Sequence, residues 1–256
     1  MWIWIAGFSL IILVCSYMMY KAHRDILDRR EIVVSSYPKD FPPLQLFFIS
    51  DIHKRSVSTE TLRQIEGVHA VIIGGDLLEK GVPFIRLREN LRRLRTLKAP
   101  IYFVWGNNDY EVDQQHFKQV LAEENVIALC NNSAQLSIIE KTIRMVGFDD
   151  HDMGHINSSA ALSEAKDEFT ILLSHNPNGF IHLSPQEADK IDLVLSGHTH
   201  GGQIRILGIG PYTKGGIKFY HSTPVFISEG YGFTKLPFRL GTNAECHIIT
   251  VISEKL

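Results

Sequence analysis

Apolar positions along this chain follow three different rhythms. The first is an unbroken run. Residues 2–20 (WIWIAGFSLIILVCSYMMY) carry no charge. At about 1.5 Å per helical residue such a run nearly spans a hydrocarbon core of about 30 Å. Trp2, Trp4, Tyr17 and Tyr20 sit near its two ends, where amphipathic rings favour the membrane–water boundary. A core helix of a globular domain would show a polar face, and none exists. A cleaved signal would need basic residues before the run and small residues after it, but Ser16-Tyr17-Met18 stand there. Residues 1–20 therefore read as a retained transmembrane anchor, with 21–43 as a juxtamembrane segment and linker. Residues 21–30 are expected to continue as a short polar helix. Pro38, Pro42 and Pro43 keep the linker at 31–43 extended.

The second rhythm starts at residue 44. Short apolar runs at 44–50, 68–74, 101–105, 171–174 and 193–196 are rich in β-branched residues. They have the length of strands buried on both faces. The third rhythm is helical, as at 84–97, where Leu87, Leu91 and Leu94 form one stripe. Segments 135–139, 143–148, 202–206, 224–228 and 246–252 alternate as further strands. The stretches 210–216 and 230–241 read as loops shaping a pocket. Strands interleaved with helices predict an α/β domain over 44–256, with layered sheets covered by helices.

The polar residues at the ends of these buried strands change the picture. In order they are Asp51-Ile52-His53, Gly75-Asp76, Gly106-Asn107-Asn108-Asp109, His175 and Gly197-His198-Thr199-His200. Ligands of α/β sheets collect at the carboxyl ends of strands. These side chains offer oxygen and imidazole nitrogen and no sulfur, a donor set for Mn, Fe or Zn. A pair of divalent ions about 3.5–4 Å apart needs a shared carboxylate and can clamp a phosphoryl group. Taken singly, an Asp-x-His or a histidine after a strand is more often structural. Five such pieces in order, each at a strand end, are not explained by packing.

The order D-x-H, G-D, G-N-x-D, H, G-H-x-H resembles the calcineurin-like metallophosphoesterases. Residues 197–205 (GHTHGGQIR) look like their membrane-associated bacterial branch. The resemblance covers about residues 44–252. It implies a four-layer α/β sandwich of two mixed β-sheets flanked by helices. It also implies that Asp51, His53 and His200 hold one metal, that Asn107, His175 and His198 hold a second, and that Asp76 bridges them. The implied nucleophile is a hydroxide between the metals. The sequence departs from the family at Asn108, where the relatives carry a histidine oriented by the following acid, here Asp109. An amide donates a hydrogen bond but no proton at neutral pH. Because general acid catalysis is worth about 10²–10⁴-fold, a substrate with a good leaving group, such as a phosphoanhydride, is expected. Lys54, Arg55 and Arg205 are the candidate substrate-binding cations. The acidic stretch 149–155 is a solvated loop or the source of a replacement acid.

Composition narrows the partners. Among 256 residues, 26 are basic and 28 acidic, a net charge of −2. That argues against nucleic acid as substrate. Cys15, Cys130 and Cys246 form neither a disulfide framework nor a paired metal motif. Lys21, Arg24, Arg29 and Arg30 follow the anchor and no basic side chain precedes it. The positive-inside rule then places the domain in the cytoplasm. The expected protein is a single-pass membrane hydrolase of phosphate esters or anhydrides, small or lipid-linked, with two divalent ions and no protein partner. The competing reading is a non-catalytic metal-binding scaffold or sensor.

Overall fold

The computed structural model describes residues 2–165 and 168–254. Its strands are β1 (Asp25–Val33), β2 (Leu44–Ile49), β3 (Ala70–Ile73), β4 (Ile101–Val104), β5 (Val126–Leu129), β6 (Asn132–Ile138), β7 (Lys141–Gly147), β8 (Thr170–Leu173), β9 (Leu193–Ser196), β10 (Gly216–Tyr220), β11 (Thr223–Ile227) and β12 (Ala244–Ile252). Four helices matter below: α1 (Trp2–His23), α2 (Thr59–Leu62), α3 (Phe84–Leu94) and α4 (Gln114–Glu123).

The strands form two six-stranded mixed sheets, in the orders β1-β12-β2-β3-β4-β5 and β10-β11-β9-β8-β7-β6. Within the first, β2, β3, β4 and β5 run parallel, and β12 is antiparallel to β2. Within the second, β7, β8, β9 and β11 run parallel. The period-2 pleat sorts side chains into layers. On β2, Leu46 and Phe48 enter the core between the sheets, with Ile72, Met145, Ile171, Leu195 and Phe226. Phe47 and Ile49 point the other way, onto Leu87, Leu91 and Leu94 of α3 and Phe117 of α4. A third core, around Phe148, Leu172, Val194 and Phe180, covers the outer face of the second sheet. The result is the expected four-layer sandwich.

α3 buries Leu87, Leu91 and Leu94, the stripe read from the sequence. A 3-10 turn at Arg95–Leu97 completes it, and Lys98 stops it at φ 55°. Asp113 caps α4, its carboxylate accepting from the N–H groups of Gln115 and His116.

Two local expectations fail. Residues 21–30 do not continue as a helix. α1 ends at His23, and 25–33 form β1, an edge strand parallel to β12 with Asp25 opposite Ala244 and Val33 opposite Ile252. Ile32 of β1 enters the central core. The charges of DILDRREIV hid this, because an edge strand tolerates polar residues on its open side. Residues 202–206 are not a strand either. They leave a 3-10 turn at His200–Gly202 and make two isolated bridges, Ile204 to Leu240 and Ile206 to Ile209.

α1 is long and apolar enough to cross a membrane, and 6% of its apolar window is buried. Among its described residues, Met18 and Ala22 are buried against the folded body. One helical turn separates them, so a single face of its last turns is docked.

Candidate metal centre

The parallel strands of both sheets end at one rim. Asp51 follows β2, Asp76 follows β3, Asn107 follows β4, His175 follows β8 and His198 follows β9. Asp51, His53, Asp76, His198 and His200 all have positive φ, between 49 and 69°. Left-handed backbone is uncommon for non-glycine residues and costs about 1–3 kcal/mol each. The packed strands behind them hold these turns. Glycine is required at two approaches. A Cβ on Gly75 would lie 2.5 Å from His175 Nδ1, and one on Gly197 would lie 2.5 Å from Asp51 Oδ2.

The side chains converge in two groups around Asp76. On one side, His53 Nε2 and His200 Nε2 are 3.1 Å apart. His200 Nε2 is 3.4 Å from Asp51 Oδ1. On the other side, His198 Nδ1 is 3.3 Å from His175 Nε2 and 3.0 Å from Asn107 Oδ1. Asp76 Oδ2 stands between, 3.7 Å from His53 Nε2 and 3.4 Å from His175 Nε2. Two trios, Asp51-His53-His200 and Asp51-Asp76-His175, are close enough to share an ion. Each neutral imidazole has one lone-pair nitrogen that can face a cation, and these rings turn nitrogens toward the carboxylates of Asp51 and Asp76. The donor set fits divalent cations.

Electrostatics agree with this. Burial pushes His200 down to about 3 and also lowers His198, which the neighbouring His175 lowers further. Both rings are thus neutral and free to ligate. Burial would raise the Asp76 carboxyl, but His175 and His53 beside it hold it below the usual carboxylate range. His175 is raised to about 10 by the charges of Asp76 and Asp51, against its own desolvation. Carboxylates this strongly coupled to imidazoles have their ionised form selected by the site.

Supporting groups stand behind the ligating candidates. His53 Nδ1 lies 2.9 Å from Glu79 Oε2. His175 Nδ1 lies 2.7 Å from Gly74 O. The buried Arg239 places Nη2 3.3 Å from His200 Nδ1 while donating to the carbonyls of Glu229, Gly230 and Gly232. Acceptors such as Glu79 and the Gly74 carbonyl orient metal-ligating rings. Glu79 and Arg239 went unread in the sequence. Glu79 left a trace, a second acid three residues after Asp76. Arg239 left none, because its role comes from the fold.

Asp109 does not orient Asn108. Fully buried, it accepts from the N–H groups of Asp76, Leu78 and Gly106, tying two strand ends together. Burial and the nearby Asp76 raise its pKa to about 8. It is a clamp for the rim and touches no open space. Asn108 remains beside the centre, its N–H donating to Asp76 Oδ1 at 2.8 Å.

The three candidate cations are committed elsewhere. Arg55 pairs with Asp25, donates to Tyr231 O and stacks on the Tyr231 ring. Arg205 donates to the carbonyls of Gly201, Gly208 and Tyr212. Lys54 pairs with Glu79 at 2.8 Å. The acidic stretch is an ordered loop folded around Asp149 and Asp150, whose carboxylates accept from backbone N–H groups of 150, 152, 153 and 155. From it, Asp152 Oδ2 comes within 3.5 Å of His198 Nε2. A pocket of about 460 Å³ opens from Asp76, Asn107 and His198, walled by Gln203, Ile204 and Tyr212.

A calcineurin-like phosphoesterase domain is recognised at residues 44–202. The chain belongs to this family and is a metal-dependent phosphoesterase. It is 46% identical to the Bacillus subtilis (strain 168) protein named YpbG, whose function is uncharacterized, over 83% of each chain. It is 30% identical to the uncharacterized metallophosphoesterase YkoQ of the same organism, over 93% of this chain and 96% of that one. A Danio rerio "Transmembrane protein with metallophosphoesterase domain" is 32% identical over 84% of this chain and 54% of its own length. Among solved structures, a 5'-nucleotidase precursor from Thermus thermophilus superposes with a TM-score of 0.55 at 12% identity. That match covers 81% of this chain and 55% of the other, and it supports the fold alone.

Proposed function

We propose that this chain is a membrane-anchored two-metal phosphoesterase acting on phosphoanhydrides or on esters with a good leaving group. The observation that carries the reading is the position of Asp76 Oδ2 between His53 and His175. Asp51, His53 and His200 would hold one divalent ion, and Asn107, His175 and His198 the other, with Asp76 shared. Bound there, two divalent ions supply Lewis acidity toward phosphoryl oxygens and an acidified water as nucleophile. Mn, Fe and Zn all suit these donors.

The remaining chemistry belongs to the chain. Glu79 holds the ring of His53 in place, and Arg239 braces the loop beside His200 through the carbonyls of Glu229, Gly230 and Gly232. Asn108, half-buried beside Asn107, donates a hydrogen bond but cannot protonate a leaving oxygen. An alkoxide leaves poorly without that proton, whereas a phosphate or nucleotide leaves without it. Ile204, Gln203 and Tyr212 bound the space where such a leaving group sits. α1 supports a single membrane span, in line with the printed name of the Danio rerio relative. Lys21 and Arg24 at its end favour a cytoplasmic domain.

The test is turnover of the full chain in detergent with Mn²⁺, comparing bis-p-nitrophenyl phosphate, a nucleoside diphosphate sugar and an alkyl monoester. Hydrolysis of the first two that disappears in Asp76→Ala supports the reading. A preference for the alkyl monoester overturns the leaving-group argument, and two bound ions without turnover on any substrate overturn hydrolysis at this centre.

A further inference from the structure

The loop after the Gly-His-Thr-His turn exposes Ile206, Leu207 and Ile209 at 66%, 96% and 79%. Three large apolar side chains in four residues at a loop tip are costly in water, and contiguous apolar surface of this kind marks an interaction site. The tip is a built structure. Ile206 and Ile209 exchange both backbone hydrogen bonds at 2.9 Å, and Gly208 makes the turn at φ 83°. Arg205 fixes it from behind through the carbonyls of Gly201, Gly208 and Tyr212. Leu207 is thereby held outward with no cover.

The base of this loop is bonded to the segment on which α1 docks. Arg205 N–H donates to Leu240 O at 2.7 Å, and Leu240 N–H donates to Gln203 O at 3.1 Å. One residue earlier, Arg239 N–H donates to Met18 O at 3.1 Å. On the far side of that contact, Lys21 Nζ donates to Asn243 Oδ1 at 2.7 Å. The contacts pair Lys21 with 243 and Met18 with 239. On the same segment Leu236 is 59% exposed, its carbonyl held by Gln203 Nε2 at 3.3 Å. Exposed Lys214 and Lys235 flank the two apolar segments in sequence. Apolar tips flanked by lysines are the composition of elements that sit in an anionic lipid surface.

We infer that residues 206–209 are a second membrane contact, a rigid apolar tip that enters the leaflet from which α1 emerges. The occupant is the lipid bilayer, because the loop is continuous with the foot of a membrane-length helix. Ile204 and Tyr212, at the two ends of this loop, also wall the pocket. The contact sets the mouth of the pocket at the headgroup level, where the phosphate of a membrane lipid enters without leaving its leaflet. The inference rests on α1 crossing the bilayer, as proposed above.

The experiment uses the full chain in phosphatidylcholine–phosphatidylglycerol vesicles, with Cys15→Ser and Cys130→Ser removing the accessible thiols. An environment-sensitive fluorophore is placed singly at Leu207→Cys, at Leu10→Cys within α1, and at Ile139→Cys on the exposed β6–β7 turn. The expected result is quenching by nitroxide-labelled lipid at 207 and 10, and quenching by aqueous iodide at 139. Lipid quenching at 10 with iodide quenching at 207 overturns the loop contact and leaves the span standing. Iodide quenching at 10 overturns the span and the loop contact together. Shielding of 207 from both quenchers means a protein surface covers the tip, which also overturns it. A second measurement uses one leaving group in two settings, bis-p-nitrophenyl phosphate in solution and the p-nitrophenyl ester of phosphatidic acid in vesicles. Leu207→Asp with Ile209→Asp is expected to lower the vesicle rate about tenfold or more and the solution rate less than about twofold. Equal losses on both overturn the inference.

Discussion

The His53–His200 side of the centre and the Asn107–His198 side are built differently. Behind His53 stands Glu79, behind His200 stands Arg239, and both rings are buried. On the other side His175 is bonded to Gly74 O, but His198 keeps 21% of its side chain exposed and faces Asp152, itself 46% exposed. Asn107 and Asn108 are half-buried, and Asn107 borders the pocket. On the two-metal reading proposed above, one half would be a fixed cation seat and the other its working face. The difference teaches where substitution acts. Changes behind the buried half should alter metal retention, and changes at the open half should alter which phosphates react.

The largest expected effect comes from the residue both halves share. Asp76→Ala should lower turnover by more than about 10³-fold, beyond the 10²–10³-fold typical of one lost stabilising donor. Metal analysis by plasma emission on the same protein should show fewer than two ions per chain. Retention of both ions would mean that the halves do not share a carboxylate.

Asn108→His sharpens the comparison on the open side. It should raise alkyl monoester hydrolysis by about 10²-fold, the lower end of general acid catalysis, and change anhydride hydrolysis only a few-fold. Steady-state rates on the two substrates decide it, and equal effects would remove the link between Asn108 and leaving group.

Glu79→Gln probes the buried side. Loss of a carboxylate behind a ligating histidine typically weakens metal affinity about 10–100-fold. Titration of activity with Mn²⁺ should show that shift, with full turnover restored at saturating metal. The smallest change is expected from Asp152→Asn, which removes a partly exposed charge beside His198. It should alter KM a few-fold and leave the Mn²⁺ titration in place, because exposed charges contribute about 1 kcal/mol or less. If Asp152→Asn weakened metal binding more than Glu79→Gln, the assignment of the two halves would be reversed.

Much of this was legible along the chain, for a reason tied to particular residues. The runs that became β2, β3, β4, β8 and β9 are buried on both faces, so they read as continuous apolar stretches. Each ended at the polar residue that the fold brings to the rim. The stripe of Leu87, Leu91 and Leu94 likewise announced α3. β1 was not legible, since Asp25, Asp28, Arg29 and Arg30 suit a solvated helix as well as an edge strand. Only pairing with β12 decides between them. The partners that Lys54, Arg55 and Arg205 meet were hidden for the same kind of reason. Proximity in sequence to a ligand says nothing about which carbonyls a guanidinium will meet.

By itself the sequence determined which polar residues stand where the buried strands end and which segment is long and apolar enough to span a membrane. These follow from local periodicity and residue type, which no later packing can change. Tertiary structure alone decided that Asp109 is a clamp, that Glu79 and Arg239 stand behind two histidines, and that the Leu207 tip is joined to the foot of α1. Each of those depends on contacts between segments far apart in the chain, and their partners exist only once the two sheets have closed on a common core.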